Sequence, residues 1–124
     1  MKLNRLAAVL AFIIGGMAVF AGTKVVFLHE PVDYYVISWL PVYNLTMGVL
    51  TVAVTSVLLW QDRPIAPKLA LATLAAHAAV YLVLQTVYHQ VVAAESLRAM
   101  TVRSVTWVVI VGILIADQHF LRKA

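Results

Sequence analysis

The chain has 124 residues, 64% of them hydrophobic and 11% charged, with a mean hydropathy of +0.97. A soluble domain of this size exposes too much of its surface to hide such a composition, so a water-soluble fold is excluded and an all-α integral membrane protein is expected. The net charge of +4 suits basic residues flanking membrane spans and gives no reason to expect nucleic acid. The absence of cysteine excludes disulfides, thiolate metal sites and thiol nucleophiles.

Four apolar runs divide the chain into one transmembrane domain, with spans expected at about 6–28, 42–60, 69–91 and 100–121. Each is long enough at about 1.5 Å per residue to cross a hydrocarbon layer of roughly 30 Å. The first follows Lys2 and Arg5 and also resembles a signal peptide, with Val19-Phe20-Ala21 as a cleavage site. Its apolar run continues through Leu28, which favours a retained helix. Ala11, Gly15, Ala18 and Gly22 fall on one side of it at the small-residue spacing that lets membrane helices approach closely, and form its expected packing face.

The approach to the second span, Tyr34 to Leu40, is rich in interfacial aromatics. Two starts are open: a compact helix with Pro41 in its first turn, or a longer one capped near Asp33 and kinked at Pro41. Gln61 to Lys68, with two prolines and three charges, is the clearest break. The boundary before the fourth span rests only on Glu95, Ser96 and Arg98. Four spans put Lys2, Arg5, Arg63, Lys68, Arg122 and Lys123 on one side and Lys24, Arg98 and Arg103 on the other. That bias predicts an antiparallel four-helix bundle in the cell membrane with both termini cytoplasmic.

The third span carries the most polar groups. His77, Tyr81, Gln85 and Tyr88 share one stripe, and His77 and Tyr81 lie near the bilayer centre. An imidazole there needs a partner on another helix or a wet cavity, and Thr51, Thr55 and Ser56 lie at compatible depth. Three roles compete for His77: a structural hydrogen bond, proton or substrate handling along the stripe, and axial ligation of haem with Met17, Met47 or the same histidine of a second subunit as second ligand. His29, Glu30, Asp33, His89 and Glu95 all fall at the outer boundary, but none of them shows ligand spacing, so they are weak metal candidates.

No catalytic motif is present, no resident cofactor is expected, and the expected partners are the bilayer and other subunits. The leading expectation is therefore a non-enzymatic protein that acts by association, as an accessory subunit or a homo-oligomer. The rivals are a small oligomeric carrier or channel lined by His77, Tyr81 and Gln85, and a haem protein.

Overall fold

In a computed structural model, residues 3–28 and 37–117 are described. Lys2, His29, Glu30, Asp33, the Tyr34-Tyr35 pair, Arg122 and Lys123, all drawn on in the sequence argument, lie outside them. The described residues are helical and contain no strand. Four helices are long and apolar enough to cross a membrane: α1 (Leu3–Val26), α2 (Leu40–Trp60), α3 (Ala66–Thr86) and α4 (Ala94–Ala116).

Helix α2 begins at Leu40, whose amide bonds to the Ile37 carbonyl (3.0 Å) in the preceding turn. Pro41 occupies its first turn, where a missing N–H costs no helical bond. The middle of α2, Thr51–Thr55, is a π-turn. There the Ser56 amide reaches back to the Thr51 carbonyl, and the Ser56 hydroxyl donates to the Val52 carbonyl (2.7 Å) that the amide would meet in an α-turn. The helix closes with the Asp62 amide on the Leu59 carbonyl (3.1 Å) and the Arg63 amide on that of Leu58 (3.0 Å). Asp62 takes the left-handed position (φ 58°) that glycine usually fills in this closing motif. Pro67 then enters the first turn of α3.

Helix α3 stops at Thr86, short of the expected 91, and α4 starts at Ala94, ahead of the expected 100. Glu95 and Arg98, taken as loop charges, are therefore helical. An acidic group in a first turn sits at the positive end of the helix dipole, so Glu95 belongs inside the helix rather than before it.

Helix α1 packs against both α2 and α4, while α3 packs mainly on α4. Helices α1 and α2 run in opposite directions: Asn4 Nδ2 donates to the Leu59 carbonyl (3.0 Å), and Gly22 lies against Leu45. Their backbones nearly touch. A Cβ on Gly48 would stand 2.8 Å from the Val19 nitrogen and 2.9 Å from the Gly15 oxygen, and one on Gly22 would stand 2.8 Å from Leu45 Cβ. Ala11, Gly15, Ala18 and Gly22 are all buried, so the small-residue face is occupied within the chain.

Two apolar cores result. One joins Ala7, Ala11, Leu59, Ala70, Trp107 and Ile110 toward the Arg63 end. The other joins Ile37, Leu40, Leu84 and Met100, with Trp39, Tyr43 and Tyr88 packed on it, toward the Pro41 end. Large apolar side chains on every helix, among them Phe12, Phe20, Val42, Leu82 and Val108, face outward, as a lipid solvent permits.

Candidate functional site

Between the two cores lies a polar layer. Successive buried residues of α4 are Met100, Arg103, Trp107, Ile110 and Leu114, spaced three, four, three and four apart, which is one inward stripe of a helix. Arg103 therefore points into the protein near the middle of α4. On α3 the inward residues are Ala66, Ala70, Thr73, His77 and Leu84, which brings His77 to a similar depth. Helix α2 supplies Tyr43 and Asn44, whose side chains reach inward from its first turns.

Two hydrogen bonds tie the layer together. Tyr43 Oη and His77 Nδ1 are 2.8 Å apart, and Arg103 Nη1 donates to Asn44 Oδ1 at 2.7 Å. His77 is 4% exposed and Arg103 7%. The Tyr43 ring meets the imidazole edge-on at 5.7 Å, and the Trp107 ring lies tilted to it at 6.4 Å. Arg103 Nη1 also approaches Met100 Sδ (3.8 Å). Helical side chains lean toward the helix N-terminus, so the guanidinium is carried toward the Pro41 end. No carboxylate of the described residues pairs with it.

His77, Asn44, Thr51, Arg103 and Trp107 surround a cavity of about 10 Å³. That is at the lower limit for a single water molecule. A porphyrin does not fit there. Of the two methionines considered as second ligand, Met47 lines this cavity and Met17 is 56% exposed on the outer surface. His77 is also too deeply enclosed to reach a counterpart in another subunit.

The partners expected for His77 are not the ones it has. Ser56 spends its hydroxyl on Val52, and Thr51 lies in the tight contact with Gly15. The long phenol of Tyr43 reaches the imidazole in their place.

The other members of the α3 stripe diverge. The Tyr81 hydroxyl lies 3.1 Å from Thr101 Oγ1 on α4, whose own proton goes to the Leu97 carbonyl (2.8 Å). Tyr88 accepts from Trp39 Nε1 (3.1 Å), Gln85 is exposed, and His89 Nδ1 donates to the Thr86 carbonyl (2.8 Å). The stripe thus meets three different neighbours, Tyr43, Thr101 and Trp39. Glu95 is exposed in the first turn of α4. Among the described residues no three His, Asp or Glu side chains gather as a metal site.

Tyr43, Asn44 and Arg103 are the site residues to which the sequence reading gave no part in the site. Arg103 was counted as a boundary charge because α4 was started too late. Its spacing from Met100, Trp107 and Ile110 is the signal that would have placed it inside. Ser104 Oγ is buried without a hydrogen-bond partner, and nothing around it assigns it a role.

Comparison with family models, with curated proteins and with solved structures finds no match for this chain.

Proposed function

We propose that the chain is a multi-pass protein of the cell membrane, an antiparallel four-helix bundle with both termini cytoplasmic, that acts by association rather than by catalysis or transport. Its partners on this reading are other membrane subunits or further copies of itself. The observation that carries the reading is the pairing of polar side chains between helices in the midplane layer. Tyr43 bonds to His77 and Asn44 to Arg103, across three helices, and His77, Asn44 and Arg103 meet at a cavity of only about 10 Å³. A carrier needs a wet path through the protein; the Tyr43–His77 and Asn44–Arg103 bonds instead tie helices to one another. What the chain presents outward is apolar helix surface.

The orientation draws support from the same revision. With Arg103 at midplane, six lysines and arginines flank one side and only Lys24 and Arg98 the other, a stronger bias than the sequence count suggested.

The test is cross-linking in intact cells followed by separation of the complexes in mild detergent. The reading expects a discrete species larger than the monomer, containing either this chain alone or this chain with a second membrane protein. A protein that stays monomeric in both settings overturns it. A flux in proteoliposomes that is lost in His77→Ala would instead establish the carrier.

A further inference from the structure

Arg103 is a charged side chain more than nine-tenths buried in the middle third of an apolar helix long enough to cross a membrane, and its hydrogen bonds to the described residues satisfy only one of its nitrogens. Both go through Nη1, to the neutral Asn44 and the weak acceptor Met100. A guanidinium stays protonated and carries five donors, and among the described residues Nε and Nη2 meet no acceptor. Burying a cation without an anion is costly in lipid.

These unused donors do not face a sealed wall. Arg103 lines a cavity of about 310 Å³ between α1 and α4, walled by Ile14, Met17 and Val102, with Glu95 and Arg98 toward the Pro41 end. A second space of about 90 Å³, reached past Asn44 and Pro41, shares Arg103 and Glu95 with it. The larger one combines a cation on its inner wall, a second cation near its mouth, and apolar walls along the lipid-facing side of α1, where Met17 is exposed.

The geometry points to a binding site for an anionic membrane lipid, whose phosphate is held by Arg103 and Arg98 and whose acyl chain lies along Ile14 and Met17. A phosphate supplies the acceptors that Arg103 lacks, and guanidinium groups recognise phosphate through paired N–H···O bonds. The acyl chain replaces annular lipid on the α1 wall, so it gains contact without desolvating anything polar. Among the described residues Glu95, which lines both spaces, is the rival counterion. It lies about 12 Å from Arg103 along the helix axis and makes no ion pair with it. Its negative charge at the mouth weakens the site rather than filling it.

The experiment is thermal unfolding of the purified protein in a neutral maltoside detergent, with phosphatidylglycerol, phosphatidylcholine or inorganic phosphate added separately. Phosphatidylglycerol is expected to raise the apparent Tm by about 5 °C at saturation, and the other two to leave it nearly unchanged. Arg103→Gln should abolish the difference between the two lipids. Because that variant also perturbs the layer to Asn44, Met17→Trp serves as the second: it alters an exposed wall residue, leaves the polar layer intact, and should reduce the phosphatidylglycerol shift by blocking the groove. Glu95→Gln should keep or enlarge the shift. Equal stabilisation by phosphatidylcholine, a full effect from inorganic phosphate alone, an undiminished shift in Met17→Trp, or loss of stability in Glu95→Gln without lipid would each overturn the assignment.

Discussion

The α1–α2 contact and the α2–α3–α4 layer solve the same problem with opposite materials. Along α1 and α2 the side chains are nearly removed: Gly15, Gly22 and Gly48 let backbone approach backbone, and attraction comes from many close dispersion contacts. Across α2, α3 and α4 the side chains are large and polar, and the helices are joined through Tyr43–His77 and Asn44–Arg103. Lipid supplies no hydrophobic drive between helices, so these are the two means left to hold them. The first tolerates no added atom. The second tolerates no missing partner.

That contrast can be broken at its tightest point. Gly48→Ala places a methyl group against the Val19 nitrogen and Gly15 oxygen, main-chain atoms that cannot rotate away. It should cost about 3 kcal/mol in reversible unfolding in mixed micelles. A cost near zero would mean that α1 and α2 are not held at the spacing described.

Next in size is Asn44→Ala, which leaves the Arg103 guanidinium with Met100 Sδ alone. A loss of about 2 kcal/mol is expected in the same assay. The double variant Asn44→Leu/Arg103→Met should recover most of it, because removing both partners of a buried polar pair is far less harmful than removing one. If the double variant is as unstable as the single, the layer is held by shape rather than by its hydrogen bonds.

Tyr43→Phe removes one neutral bond to His77 and should cost about 1 kcal/mol, in the range measured for interhelical hydrogen bonds in membranes. Gly112→Ala sharpens the comparison from the other side. Nothing lies within 4 Å of a Cβ built there, so the change should fall within about 0.5 kcal/mol of zero. Two glycines in one protein, one intolerant and one indifferent, would separate close approach from glycine content.

The four spans are plain in the sequence because lipid demands long apolar segments, and that demand overrides every local detail. The small-residue spacing of Ala11, Gly15, Ala18 and Gly22 is readable for the same reason: few residue types permit close helix approach. What was not readable depends on depth. Starting the fourth span near residue 100 made Arg103 a boundary charge, whereas a start at Ala94 makes it a core residue. No proline or glycine marks that start, and Ala93 is recognisable as the cap only by its extended backbone (φ −74°, ψ 148°). The partner of His77 was missed because residues were matched by the depth of their Cα atoms, while Tyr43 reaches across a difference in depth with its side chain. The π-turn at Thr51–Thr55 has no composition signal that distinguishes Thr-Val-Ala-Val-Thr from ordinary helix.

The Arg103–Asn44 bond also bears on the order in which the protein is made. An arginine near the centre of a lone membrane helix opposes insertion by roughly 2.5 kcal/mol or more, which makes α4 the span that gains most from company. Synthesis runs from the N-terminus, so α2 is already in the bilayer, with Asn44 available, when α4 leaves the ribosome. The sequence order of the helices is thus also an assembly order: the acceptor precedes the cation that needs it. A rearranged chain that delivered α4 first would send Arg103 into lipid with no partner waiting, and would be expected to leave that helix outside the membrane more often.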